Sequence, residues 1–383
     1  MATERYEAIV VGVGGFGSAA LYHLARRGQR VLGLERFDVP HDLGSSGGIT
    51  RIIRLAYYED SSYVPLLARS YELWRELERD AGEQLLWITG SVDASAEDGR
   101  IFTGSLASCL EHGLEHEVLT ASELHARFPG YRLPEGTMAV VQPEGGFLAP
   151  ERCIVAHVSL ALQAGADVRA RERVLDWEPA GSAVRVRTDR GSYEAERLVL
   201  AGGAWMSELL GRPLVRAERQ VLAWFRPLEP ELFAPERFPV FNVELDDGHF
   251  YGFPEFGIPG FKLGRYHHLG ETVDPDEVDR TPRTDDEAVL RSFAERWFPD
   301  GAGPTMTLKA CLFENTPDEH FLVGLHPETP HVVCLGGGSG HGFKFCSALG
   351  EIAADLALTG ETRHDIGFLS PSRFDTSDGA ASV

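Results

Sequence analysis

The stretch from Tyr6 to Arg36, YEAIVVGVGGFGSAALYHLARRGQRVLGLER, restricts the fold more than any other part of this 383-residue chain. Ala8-Ile9-Val10-Val11 is a short apolar run of the buried-strand type, and Gly12-Val13-Gly14-Gly15-Phe16-Gly17 follows it with the spacing G-x-G-x-x-G. Ala20, Leu21 and Leu24 then fall on one helical face. Arg26, Arg27 and Gly28 supply a basic last turn and a terminator, and a second apolar run, Val31 to Leu34, ends at Glu35. The set predicts a complete βαβ dinucleotide site.

Each residue type there has a physical reason. Gly12 permits a tight turn, Gly14 lets the backbone approach a pyrophosphate, and Gly17 allows the helix to pack against the sheet. The helix start, through Gly15 and Phe16, offers free N–H groups and the positive end of the dipole. Glu35, followed by Arg36, is placed to accept hydrogen bonds from a ribose 2′-hydroxyl, and its charge disfavours the 2′-phosphate of NADP. The fingerprint by itself leaves FAD and NAD both open.

Composition narrows the partners. Lys plus Arg number 36 against 58 Asp plus Glu, a net charge of −22, which argues against nucleic acid or an anionic membrane surface. A substrate anion must then be drawn by a local basic cluster. No stretch approaches the length of a membrane-spanning helix, the first strand begins without a signal-peptide core, and Ala381-Ser382-Val383 is not the S-K-L peroxisomal address, so a cytoplasmic protein is expected. Cys109, Cys153, Cys311, Cys334 and Cys346 are scattered and odd in number, without C-x-x-C spacing. A disulfide framework or metal site is not expected, which leaves buried thiols or one chemically employed cysteine.

Along the chain, Gly44 to Gly48 reads as a loop and Ile49 to Leu55 as the start of a helix placing Arg51 and Arg54 near one face. These arginines are candidates for a bound carboxylate or a flavin edge, or equally for surface ion pairs. Tyr63 to Arg79 is an amphipathic helix with Leu66, Leu67, Tyr71, Leu73 and Trp74 inward. Leu85 to Leu148 alternates short strands and helices, and Glu151 to Gln163 is helical. Asp167 to Trp177, Ala183 to Thr188 and Glu194 to Leu200 form a strand meander, the last returning to the nucleotide sheet. Gln220 to Phe225 and Val240 to Leu263 are strand-rich, Asp285 to Phe298 is a capped amphipathic helix, and Val332 to Lys344 is a second strand-to-glycine-to-helix unit. Gly-rich strand ends near both termini predict one nucleotide domain assembled from separated segments, with the β-rich pieces inserted.

Taken together, GVGGFGSAALYHLARRG, LGSSGGITRIIRLAYYED, FYGFPEFGIPGFKLG, KACLFENTPDEHFLVG and GGGSGHGFKFCSALGEIAADL resemble, in order and over nearly the whole chain, the monomeric sarcosine oxidase and N-methyltryptophan oxidase family. T-R-I-I-R, a cysteine ahead of D-E-H-F, and S-G-H-G-F-K carry the resemblance more specifically than the opening glycines. It implies an α/β (mixed α+β) fold: a Rossmann-like FAD-binding domain from residues 1–86, 149–217 and 320–375, an inserted antiparallel substrate domain from 87–148 and 218–319, and a loose tail at 376–383. It also implies a monomer that oxidises secondary amino acids with O2 to an imine and hydrogen peroxide, with no metal and with FAD joined to Cys311 through a thioether. Nearby cations such as Lys309 or Arg51 would favour the thiolate.

The resemblance further assigns roles. Lys262 stands where a cation activates oxygen, with Phe261 and Leu263 making its surroundings apolar. Arg54 and Lys344 match the pair that grips the substrate carboxylate, and Arg51 lies against the flavin with Thr50 in support. Tyr251 and a histidine of Tyr266-His267-His268, taken as His267, line the substrate cavity together with Phe313 and Gly340. FAD contacts are implied at Gly12, Gly14, Gly15, Phe16, Gly17, Glu35, Arg36, Ser45, Thr50, Arg51, Val174, Gly202, Trp205, Cys311, Gly338, Gly340, Gly342, Phe343 and Lys344. The family's histidine-rich loop is Ser46-Gly47-Gly48-Ile49 here and a cavity tyrosine is Phe313, which implies a roomier, less polar pocket and a substrate bulkier than sarcosine. Three alternatives remain open: a flavin dehydrogenase using a non-oxygen acceptor, an NAD-linked dehydrogenase, and a non-catalytic flavin-binding protein.

Overall fold

The computed structural model describes residues 4–375; the tail expected at 376–383 lies outside the described residues. Among them, no helix is long and apolar enough to cross a membrane. The chain divides into two compact units, one of residues 1–46, 151–217 and 313–383 and the other of 47–150 and 218–312.

In the first unit the expected βαβ arrangement forms. Strand Glu4–Val11 pairs in parallel with Val31–Leu34 on one side and with Ser192–Leu200 on the other. Thr329–Gly336 extends the parallel sheet beyond Leu198 to Leu200. Such strands are covered on both faces, so they are near-continuous Val, Ile and Leu. Helices Gly15–Arg26 and Cys346–Thr359 pack on each other, and a Cβ at Gly350 would come within 2.5 Å of the Ala19 Cβ.

The single strand expected over Asp167 to Trp177 is two. Asp167–Arg169 joins the sheet beside Val31–Leu34, and Val174–Ala180 pairs antiparallel with Ala183–Thr188. The chain breaks at Arg171, which has φ 58°, because Arg171 and Glu172 donate their N–H groups to the carbonyls of Phe37 and Glu35 instead of continuing a ladder.

The second unit is built on an eight-stranded sheet in the order Thr305–Asn315, Arg216–Phe225, Phe261–Arg265, Gly248–Phe253, Val240–Leu245, Ser91–Ala96, Thr137–Gln142 and Glu117–Thr120. From Arg216–Phe225 to Glu117–Thr120 its pairs are antiparallel as expected except where Val240–Leu245 runs parallel to Ser91–Ala96, the seam between the two inserted pieces. Strand periodicity gives the sheet two different faces. Val92, Phe241, Val243, Phe250, Phe261, Leu263, Ala223 and Phe225 all face one side and form the core with Leu290 and Phe293 of helix Thr284–Trp297. The Phe250 and Phe293 rings stack 3.7 Å apart.

Phe241 is fully buried and stacks on Phe298 at 4.8 Å. Phe241→Ala is expected to cost about 3–5 kcal/mol, read as a lower urea midpoint with an unchanged slope. A midpoint within error of the parent would contradict this account of the core.

The helix expected from Ile49 to Leu55 is instead strand Arg51–Ile53, which pairs with Gly146–Leu148, itself paired with Leu86–Ile88. The β-branched pair Ile52-Ile53 suits an extended chain, and the partner that holds it lies almost a hundred residues on. The following helix begins at Val64, with Pro65 in its first turn and left-handed Gly82 closing it; Leu66, Leu67, Leu73 and Trp74 are buried as expected, while Tyr71 is half-buried and donates its hydroxyl to Glu144 O at 2.7 Å. These pairings explain a difference in domain boundary. Residues 47–86, expected with the nucleotide domain, cluster with the second unit, and 313–319 cluster with the first.

Candidate active site

The first unit presents a dinucleotide cradle at the start of helix Gly15–Arg26. Gly12 has φ 88°, and a Cβ there would lie 2.4 Å from Ala201 O; a Cβ on Gly17 would lie 1.8 Å from Gly12 O. No side chain beyond glycine fits either place. At Gly14, by contrast, a Cβ would meet nothing nearer than Ser46 Oγ at 3.7 Å, so a ligand can approach this backbone. The helix has no side-chain cap and no acidic residue in its first turn, which leaves its positive end for an anion. Glu35 is nearly buried: Oε2 accepts from Val13 N at 2.8 Å and Oε1 from Phe37 N at 3.0 Å, which fixes the carboxylate at the strand end. The Arg36 guanidinium lies 4.6 Å from the Trp205 ring.

Around the same cradle stand other expected cofactor residues. The Phe343 ring is 3.0 Å from the Cβ position of Gly15, and Gly338 and Gly342 abut the Phe16 ring. Gly202 ends the strand-to-turn segment before Trp205. Val174 differs, with its side chain in the sheet core beside Val184 and Tyr193. Lys344 is buried and donates to His341 O at 2.8 Å, and Gly340, with φ 78°, lies so close to Phe313 that a Cβ would be 2.5 Å from its ring. These features fit a dinucleotide whose pyrophosphate rests on the helix start.

One residue here carried no signal in the sequence. The buried Glu314 carboxylate accepts from Ser45 Oγ at 3.1 Å and from Gly338 N at 3.3 Å. Burial pushes it up to about 6, only partly opposed by those two donors.

In the second unit, the sheet face opposite the phenylalanine core gathers the expected catalytic groups. Cross-strand pairs Phe253–Lys262 and Trp224–Lys262 put the lysine between two aromatic side chains, with Nζ 4.1 Å from the Phe253 centroid and 5.5 Å from that of Trp224. Nζ donates to Gly48 O at 2.7 Å, Thr50 O at 2.8 Å and Thr50 Oγ1 at 2.9 Å. The apolar character expected from Phe261 and Leu263 comes instead from Phe253 and Trp224, because neighbours in a strand point to the other face.

Cys311 packs with Leu222, Trp224, Tyr251 and Ile49 on this same face. Burial pushes its thiol up, and Arg51, Lys262 and Lys309 pull in the other direction without cancelling it. Tyr251 owes its position to Gly264 across the strand pair, where a Cβ would fall 2.6 Å from the tyrosine hydroxyl. Arg51 donates to Thr50 O at 2.9 Å and to Gly47 O.

Arg54 is not a surface ion-pair partner but fully buried. Its Nη2 binds Glu59 in a fork at 2.7 and 2.9 Å, Nη1 donates to Ala56 O, and Nε lies 3.5 Å from Asp93. Asp93 projects from the catalytic face beside Asn242, and the guanidinium lies 4.4 Å from the Tyr58 ring. Burial raises Asp93 to about 6 against the lowering influence of Arg54.

Of the two histidines considered, His267 sits in a turn with φ 58° and pairs with Glu218 at 3.0 Å, and His268 is buried against Asp286 at 2.9 Å. Among the described residues, a histidine on the same sheet face as Lys262 and Tyr251 is His249, stacked on Tyr266 and 3.5 Å from Tyr58 Oη, its pKa lowered to about 3 chiefly by burial. Strand alternation from Tyr251 would have found it; the order of residues alone did not.

Comparison with known proteins fits these two sets of residues. The FAD dependent oxidoreductase (DAO) family matches residues 7–356. This chain belongs to that family. It is 42% identical over 381 residues to the monomeric sarcosine oxidase of Streptomyces avermitilis, covering 97% of this chain and 98% of that one. It is 33% identical to the N-methyl-L-tryptophan oxidase of Yersinia pestis, covering 96% and 99%. Among solved structures, NikD, an amino acid oxidase essential for nikkomycin biosynthesis, superposes with a TM-score of 0.85 at 29% identity, covering 96% of this chain and 98% of NikD. The family accounts for the mixed α/β architecture and for a cradle built to take FAD.

Proposed function

We propose that this protein is an FAD-dependent oxidase of secondary amino acids, N-methylated or cyclic, that uses O2 and releases an imine, hydrolysed afterwards, and hydrogen peroxide. The observation that carries the reading is the sheet face on which a buried Lys262, Cys311, Tyr251 and the Asp93-linked Arg54 occur together. A structural sheet would have no reason to bury two cations there. The similarity to sarcosine and N-methyltryptophan oxidases supports the substrate class.

FAD, when bound, supplies the two-electron chemistry. Gly12, Gly14, Gly15, Gly17, Glu35 and Ser45 would hold its dinucleotide part, and Thr50, Arg51 and Cys311 its ring; a thioether at Cys311 Sγ would replace the thiol S–H and one flavin methyl C–H, with two protons released and the two electrons passing through the ring to O2. Arg54, whose Nη2 is held by Glu59 and whose Nη1 donates to Ala56 O, contributes buried positive charge that draws the substrate carboxylate. Lys344, a buried point charge of the first unit with Nζ donating to His341 O, is the second cation assigned to substrate binding by the resemblance. Fixing the carboxylate orients the C–H bond to be broken and lowers the entropic cost of reaction. Tyr251 lines the pocket on the second unit's side of the sheet and excludes water. Lys262, fixed by three acceptors, presents positive charge where O2 becomes anionic. Neutral His249 and Tyr58 present hydrogen-bonding groups on the same face as Arg54 and its carboxylate partners Glu59 and Asp93.

Two measurements test this reading. Acid precipitation should leave the visible flavin spectrum with the wild-type pellet and release it from Cys311→Ala; yellow supernatants from both would rule out the thioether. With Phe313 in place of a hydroxylated ring and glycines before Ile49, an amine panel with peroxide detection should favour a substrate larger than sarcosine, by about tenfold or more in kcat/KM for one or two extra buried methylene-sized groups. Sarcosine as the best substrate would reject that preference. A monomer accords with the similarity to the monomeric sarcosine oxidases.

A further inference from the structure

Glu314 has no part in the chemistry just described, yet it occupies the cradle. Its Oε2 lies 2.9 Å from the Cβ position of Gly203 and its Oε1 2.9 Å from that of Gly338, so both glycines are bare where the carboxyl points. Gly338 and Gly342 in turn abut the ring of Phe16, in the first turn of helix Gly15–Arg26. The carboxyl is therefore in the region that receives the cofactor's phosphates.

The groups facing it do not compensate its charge. The 41–46 loop brings Ser45, the 337–344 segment brings Gly338, and the turn after Leu200 brings Gly203. Among the described residues only Ser45 Oγ and Gly338 N hydrogen-bond to the carboxylate, and both are neutral. Ser339 N is spent on the Glu314 backbone carbonyl. A buried carboxylate with two neutral donors and an incoming pyrophosphate has one inexpensive way to relieve the repulsion, which is to bind a proton.

We propose that Glu314 takes up one proton from solvent when FAD enters and, as the neutral acid, donates it in a hydrogen bond to an oxygen of the cofactor's pyrophosphate–ribityl segment. The sign of the pH effect follows. With a folded-state value of about 6, above the ordinary 4.5, the contribution of Glu314 is full at low pH and is lost as pH rises through that value. Phosphate charge nearby moves the window upward, so cofactor binding draws a proton in at neutral pH.

The holoenzyme gives one direct readout: an infrared difference spectrum between wild type and Glu314→Gln near neutral pH should show a protonated-carboxyl C=O band belonging to the wild type. A second readout is FAD affinity on a Cys311→Ala background, where no thioether holds the cofactor. There the parent should weaken by up to about tenfold per pH unit above the apo value. Glu314→Gln, a neutral donor of the same shape, should bind with no such slope, and Glu314→Ala should bind about tenfold more weakly, one hydrogen bond's worth. Absence of the carboxyl band, or a glutamine variant as weak as the alanine one, would overturn the proposal. A parent protein that binds no FAD at any pH would instead count against the cofactor assignment itself.

Discussion

Lys262→Met should leave the reductive half of the reaction nearly intact and slow reoxidation of the reduced enzyme by O2 about 10²–10³-fold, the usual effect of deleting one preorganised group that stabilises a developing anion. The reason lies in how the ammonium is held. Three oxygens, from Gly48 and Thr50, fix Nζ, and the rings of Phe253 and Trp224 shut out water, so its charge is both immobile and weakly screened. Methionine keeps the bulk and removes the charge. Stopped-flow mixing separates the halves: anaerobic bleaching by substrate should proceed at a rate close to wild type, and mixing the bleached enzyme with O2 should be slow. An oxygen rate equal to wild type would refute the role given to this lysine. Thr50→Val, which deletes one of its three acceptors, should produce a smaller change in the same step.

Arg54→Leu should raise KM for a carboxylate-bearing substrate by about 10²-fold, and it should also destabilise the protein by about 3–5 kcal/mol. The two effects have different sources. Affinity falls because the buried positive charge that draws the carboxylate is gone; stability falls because Glu59 and Asp93 lose the cation that offsets their burial. Without Arg54, Asp93 would rise above its value of about 6, since that guanidinium is the strongest influence lowering it. The variant's stability should therefore increase on acidification through that range, as the stranded carboxyl protonates. Adding Glu59→Gln should recover stability but not KM. An amine substrate lacking the carboxylate should be turned over equally by wild type and the single variant. If instead both substrates suffer alike, Arg54 is structural and the carboxylate is held elsewhere.

The sequence by itself was enough for the first βαβ unit. There the strand, glycine turn and helix are neighbours in the chain, their periods are local, and Gly12 and Gly17 answer to steric limits within a few residues or at the adjoining strand end. Through the order of T-R-I-I-R, Cys311 and S-G-H-G-F-K it also pointed to the side chains proposed to carry the chemistry. What it left undetermined depended on partners distant in the chain. Arg51 to Ile53 became a strand because Gly146–Leu148 pairs with it; local propensity, which allowed a helix, was outweighed. The strand register of Phe253, Trp224 and Lys262 chose the aromatic neighbours of the lysine, and it put His249, not His267, on the face with Tyr251. The ion pairing of Arg54 with Asp93 and the burial of Glu314 were likewise settled only by tertiary packing, because the dielectric around a charge is a property of everything folded against it and is written in no single stretch of residues.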